Sequence, residues 1–187
     1  REAPTFDELS SVLKKFIDSP FVSNQAIALG IMTAGRLQEF LKAKWEEIDL
    51  EKGVLTVPPD RRKDGKRLPF RCPLCRQAVD MLTRIKPDNA AGYVFVRNGS
   101  LLCDDTCRVV LRKNIKRGEG QKQVTMHGCR STFSVWCAEN LKNSDLREMQ
   151  LMHEVSGNAS VVKAYQRSDL LEQRRLLVQE YVDALLA

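Results

Sequence analysis

A mainly helical α+β domain with one small antiparallel sheet is the fold class this sequence predicts, on three observations. Apolar residues recur at helical spacing through both ends of the chain. Strand-like runs occur at Gly53–Val57 and Leu68–Cys72, and the Lys63-Asp64-Gly65-Lys66 stretch between them favours a tight turn. At 187 residues, 43% hydrophobic and 29% charged, the chain suits one well-buried soluble domain better than two very small ones.

The elements follow in order. Thr5-Phe-Asp-Glu8 is a capping box, so a helix is expected through Leu9, Val12, Leu13 and Phe16 to about Asp18. Ser23 is placed to cap a second, mostly apolar helix through Ala26 and Met32, ending near Gly35. A third is expected from Arg36, with Leu37, Phe40, Leu41 and Trp45 at helical spacing. The two strands come next, and Pro58-Pro59 marks the end of the first. Helices are then expected near 74–85 and 103–114, with a short Tyr93–Val96 strand between them. The remainder reads as helical at 128–141, 144–152, 159–165 and 169–186. The last of these carries Leu170, Leu171, Leu177, Val178, Tyr181, Val182 and Leu185 as a broad apolar stripe. The sequence holds no internal repeat, low-complexity tract or flexible linker.

Thirty Lys+Arg against 24 Asp+Glu give a net charge of +6 and a pI near 9.1, which suits a polyanionic partner. The longest apolar stretch, Ala26–Ala34, is too short to cross a bilayer, and no signal-peptide core opens the sequence. A reduced, cytoplasmic protein is therefore expected. The sequence opens on Arg1, so a piece of a longer protein is expected. Cys72-Pro-Leu-Cys75 and Cys103-Asp-Asp-Thr-Cys107 raise a four-thiolate zinc site. The wider second spacing and the missing Gly/Lys-rich knuckles favour free thiols instead, so no metal and no cofactor are expected.

The residues that bear chemistry are few. The two histidines are His127, in Met126-His-Gly-Cys-Arg130, and His153, with Tyr165 twelve residues further on. Upstream lies Arg36, in Thr33-Ala-Gly-Arg-Leu-Gln-Glu39. A phosphodiester under attack carries negative charge on its non-bridging oxygens, which metals held by clustered carboxylates or fixed cations must stabilise. No acidic cluster with metal-binding spacing is present, whereas the planar forks of Arg36 and Arg130 match a phosphate. His127 and His153 can donate hydrogen bonds or move a proton near neutral pH. A deprotonated Tyr165 can act as nucleophile, and Lys63 or Lys66 on the hairpin tip can protonate a departing 5′ hydroxyl. Taken singly, each has an ordinary reading: a surface charge, a capping histidine, a packed aromatic, or an exposed Arg36/Glu39 ion pair.

Their order, with the words around them, resembles the catalytic domain of the tyrosine recombinases, or phage integrases. The flanking sequences Glu46-Glu-Ile-Asp-Leu50, Pro73-Leu74, Met126–Phe133 and Ala164-Tyr-Gln-Arg-Ser-Asp-Leu-Leu-Glu-Gln-Arg-Arg175 are similar to integrases of prophages and genomic islands. The resemblance covers essentially the whole chain. It implies the tyrosine recombinase catalytic-domain fold, and site-specific DNA recombination through a covalent 3′-phosphotyrosine without metal. Tyr165 would attack the scissile phosphate, and Arg36, Arg130 and His153 would hold its non-bridging oxygens. His127 would assist proton transfer, and Lys63, preferred to Lys66 because the family's lysine precedes the turn, would protonate the 5′ oxygen. Glu39, on the same helical face as Arg36, would orient that guanidinium. The interval from His153 to Tyr165 is slightly longer than in close relatives, which bears on the loop geometry and not on the nucleophile's identity.

Two cationic stretches, Arg61, Arg62, Lys66, Arg67 and Arg71 on the hairpin and Arg108, Arg112, Lys113, Lys116, Arg117 and Lys122 before the HxxR helix, would neutralise phosphates along a duplex. The implied partners are double-stranded attachment sites, other protomers in a synaptic tetramer, and accessory DNA-bending or directionality factors. Amino-terminal arm-binding and core-binding domains are expected to lie outside residues 1–187. Two rivals share parts of the pattern: a type IB topoisomerase, disfavoured by the wording around Tyr165, and a non-catalytic DNA-binding or zinc-stabilised module retaining the fold.

Overall fold

A computed structural model describes residues 2–62, 67–153 and 169–187. Its helices are α1 Phe6–Phe16, α2 Val22–Thr33, α3 Leu37–Leu41, α4 Arg76–Ile85, α5 Asp104–Asn114, α6 Met126–Glu139, α7 Ser144–Gln150 and α8 Leu171–Leu186. Strands β1 Ile48–Asp49, β2 Val54–Val57 and β3 Phe70–Pro73 form one antiparallel sheet in the order β1-β2-β3, and β4 Val96–Arg97 pairs with β5 Ser100–Leu101. The α+β class is therefore as expected. Among the described residues no helix is long and apolar enough to cross a membrane.

α2 organises the core. Every residue from Gln25 to Thr33 is buried, the pattern of a helix enclosed on all sides. α1, α3, α4, α5, α6 and α8 pack around it. α8 supplies Leu177, Val178, Tyr181, Val182 and Leu185, all buried, as its apolar stripe predicted. Tyr181 is packed edge-on against Phe133, with ring centroids 4.9 Å apart.

Several boundaries differ from the sequence reading, each for a local reason. The Thr5 capping box closes as predicted, with the Thr5 hydroxyl accepting from the Glu8 amide and the Glu8 carboxylate from the Thr5 amide. α2, however, starts at Val22 behind Phe21, with Ser23 inside the helix and not capping it. α2 ends on Ala34, at φ 48°, one residue before the glycine expected to mark its end. The third helix stops at Leu41, and Trp45 opens a separate 3-10 turn, Trp45–Glu47, so its helical spacing from Leu41 is coincidental. β1 is a strand the sequence reading missed, since two residues are too few to show alternation. The expected Tyr93–Val96 strand is only partly formed: Tyr93 makes an isolated antiparallel bridge to Lys44, Val94 and Phe95 turn inward to the core, and the pairing with β5 begins at Val96.

In the hairpin, Val57 pairs with Phe70 and Val54 with Pro73. Pro58 follows β2 and a 3-10 turn occupies Pro59–Arg61, so the link to β3 is wide at its base. The Asp64-Gly65 turn, Lys63, Lys66, the expected helix 159–165 and Tyr165 lie outside the described residues.

Candidate active site

The ends of α2 and α7 are tied to Arg36 and Arg130, and the cleft beside them is lined from α3, α5 and α6. Arg36 is the residue before α3, and Glu39 reaches back so that its Oε2 accepts from the Arg36 backbone N–H at 2.7 Å. The same carboxylate takes Arg36 Nη1 at 3.2 Å. Glu39 is only 3% exposed, and burial raises its carboxyl above the ordinary value against the pull of the Arg36 amide and guanidinium.

α6 begins at Met126, where Thr125 caps it by accepting from the Gly128 amide at 3.1 Å. His127 and Arg130 stand three residues apart on its first turns. Arg130 is 4% exposed and donates to two carbonyls, Ala34 O at 2.5 Å and Leu151 O at 2.6 Å. The left-handed turn at Ala34 sends the chain out of α2 at the residue whose carbonyl Arg130 takes.

α7 ends in a Schellman motif. Met152, at φ 51°, takes the left-handed position; its amide donates to Met149 O at 3.1 Å, and the His153 amide to Glu148 O at 2.8 Å. This leaves the carbonyls of Leu151 and Met152 for the two arginines: Arg130 Nη2 binds the first and Arg36 Nη2 the second, at 3.3 Å. His153 is exposed, and its Nδ1 lies 2.8 Å from Glu148 Oε2, which fixes the ring by a partner the sequence reading did not find. A glutamate five residues before the histidine was the available signal.

Arg36, His127 and Arg130 line a cleft of about 480 Å³ whose opposite wall is Asp104, Asp105 and Arg108 at the start of α5. Gln38 bridges the walls, its amide donating to both Asp104 oxygens at 2.6 Å. Burial and the neighbouring Arg36 charge push Arg130 down to about 10, so it stays protonated at neutral pH. Two guanidiniums are fixed by carbonyls here, and among the described residues Glu39 is the one buried carboxylate beside them, so the site favours an added anion.

The expected DNA-contact residues divide. Arg112, Lys113, Lys116 and Arg67 are exposed. Arg61 does not join them: its guanidinium turns inward to Glu47 and the Lys42 carbonyl, with the side chain 11% exposed. Arg71 is gripped by Asp169 through two 2.7 Å bonds, and Arg62 donates to Leu68 O and lies over the Phe70 ring. Arg108 pairs with Asp105 and Arg117 with Glu8. Cys72, Cys75 and Cys107 are buried free thiols and Cys103 is exposed. Among the described residues no three His, Cys, Asp or Glu side chains gather closely enough to hold a metal.

Comparison with known proteins bears on the family and the fold. The model of the phage integrase family matches residues 5–171. Prophage integrase IntZ of Escherichia coli strain K12 is 35% identical over 162 residues, covering 86% of the chain but only 39% of IntZ. Among solved structures, XerA recombinase superposes with a TM-score of 0.62 at 21% identity, over 89% of this chain and 63% of that one. The Tn1549 transposon integrase in complex with transposon right end DNA gives 0.59 at 17% identity, over 84% and 63%. Both show a shared fold, and the chain spans less than two thirds of each of the three.

Proposed function

The chain belongs to the phage integrase family, and from that membership we propose that residues 1–187 are the single catalytic domain of a site-specific tyrosine recombinase. The reaction is integration or excision of a prophage or genomic island, by cutting and rejoining double-stranded DNA through a 3′-phosphotyrosine. One observation carries the reading: the guanidiniums of Arg36 and Arg130, 94 positions apart in sequence (130 minus 36), are anchored to consecutive carbonyls and line one cleft.

In this reading the scissile phosphate enters the cleft and its non-bridging oxygens take hydrogen bonds from Arg36, Arg130 and His153. The negative charge that grows in the transition state falls where fixed positive charge already stands, so little reorganisation is needed. His127 accepts or relays the proton of the nucleophile, Tyr165 Oη attacks phosphorus, and the 5′ oxygen leaves with a proton from Lys63. The phosphotyrosine conserves the bond energy, so the reverse attack by a 5′ hydroxyl reseals DNA without a cofactor. Arg67, Arg112, Lys113 and Lys116 supply phosphate contacts along the duplex, and a tetramer on two sites, with accessory factors, completes recombination.

The test is incubation of the intact protein with a nicked duplex carrying the host–element junction, followed by a denaturing gel. A covalent adduct is expected, undiminished in chelator, absent in Tyr165→Phe, with strand release slowed in Lys63→Ala. An adduct that persists in Tyr165→Phe, or that requires magnesium, defeats this reading.

A further inference from the structure

We infer that Gln150 and Arg174 form a buried tie that sets the geometry of the Arg130–Arg36 anion clamp, which makes both of them positioning residues for strand cleavage. The inference rests on the function proposed above for that clamp. Neither side chain lines the cleft.

Arg130 is held from two sides. Its two Nη groups bind carbonyls on separate segments, Ala34 after α2 and Leu151 after α7. Gln150 joins those same two segments one residue upstream on each side. Attached next to Leu151, its amide nitrogen donates to the carbonyl of Thr33, next to Ala34, at 2.8 Å. That bond therefore helps to set the distance between the two carbonyls that grip Arg130, and the same nitrogen also lies 3.6 Å from Cys72 Sγ. At 1% exposure, no water competes for it.

Arg174 of α8 fixes which way that amide faces. It is 0% exposed, and its Nη1 donates to Gln150 Oε1 at 3.1 Å, so the amide oxygen points to α8 and the nitrogen to α2. Its other donors tie the same hub to the sheet and to the chain entering α8: Nη2 to Arg71 O and Nε to Asp169 O, each at 2.8 Å. The guanidinium also lies 4.8 Å from the centre of the Phe70 ring. The nearest Asp169 carboxylate oxygen is 3.8 Å away, so this buried charge is satisfied mainly by carbonyls, an amide and a ring. Mere filling of the core would be met at lower cost by an apolar side chain. What the fork adds is direction.

Gln150→Met keeps length and bulk and removes both hydrogen-bonding ends; Arg174→Lys keeps charge and loses the fork. On the nicked junction duplex, Gln150→Met is expected to lower the single-turnover rate of adduct formation on the order of ten- to a hundredfold, the cost of a misplaced catalytic group. DNA affinity should change by less than about threefold, because the basic surface is untouched. In an Arg130→Lys background the same substitution should cost less than about threefold, since the clamp it positions is already broken. Equal losses in both backgrounds, or full-rate cleavage by Gln150→Met, overturn the inference. A second readout needs no DNA. Heteronuclear NMR should show slow rotation of the Arg130 Nη groups in the wild-type protein and fast rotation in Gln150→Met and Arg174→Lys, and unchanged slow rotation also overturns it. Absence of an adduct from the wild-type protein would instead sink only the function proposed for the clamp. Should Gln150→Met fail to fold, Arg174→Lys carries the same arms.

Discussion

Gly128 stands between His127 and Arg130 where no larger residue fits. A Cβ there would lie 2.2 Å from the carbonyl oxygen of Glu2 and 2.9 Å from the Ala3 Cα, both backbone atoms that a rotamer change cannot move away. Gly128→Ala must therefore shift the amino-terminal segment, which Thr132 also holds through Pro4 O at 2.6 Å, or the first turn of α6. A loss of about 1–3 kcal/mol is expected from urea unfolding, the usual range for overpacking. A change under about 0.5 kcal/mol, the scatter of neutral surface substitutions, would show that the segment is not docked there. From the sequence this glycine is only a spacer, because the backbone it accommodates lies more than 120 residues away (128 minus 2 is 126). Arg61 makes the same point with charge. Among neighbouring basic residues it reads as a solvated face, yet Glu47, fourteen residues upstream (61 minus 47), draws it inward.

At the scale of elements, what matters is how each one ends. α2 ends in a left-handed alanine, α3 begins under the Glu39 carboxylate and α7 ends in a left-handed methionine. Together these endings point carbonyls at two arginines. α8 is fastened at its start by Asp169. Hydrogen bonds from Arg71 hold that carboxyl below its ordinary value of 3.8. A depressed folded-state pKa means stability that is present above the unfolded value and lost as pH falls through the folded one. With both partners at least a third exposed, the pair contributes no more than about 1 kcal/mol. Asp169→Asn is thus expected to melt lower than wild type at neutral pH, with the gap closing below pH 3.8. Thermal melts at neutral and acid pH check this, and a gap that stays constant or widens in acid refutes it.

The whole molecule buries five of its six cysteines, and its packing decides their reactivity. Burial pushes Cys75, Cys107, Cys129 and Cys137 up to about 12 and Cys72 to about 11, whereas hydrogen bonding from Thr106 lowers exposed Cys103. Ellman's reagent at mild alkaline pH should titrate one thiol promptly in the native protein and six after denaturation. Two or more prompt thiols would mean a core looser than this one. The sequence by itself determined the fold class, the amphipathic helices and the ordered arginines and histidines, because helical periodicity and capping are local and each chemistry-bearing residue type is rare enough to stand out. Only tertiary structure decided which cations meet. The partners that aim Arg130, and with Glu39 also Arg36, are backbone carbonyls brought together by chain reversals, and a carbonyl carries no mark in a sequence of what it will bind.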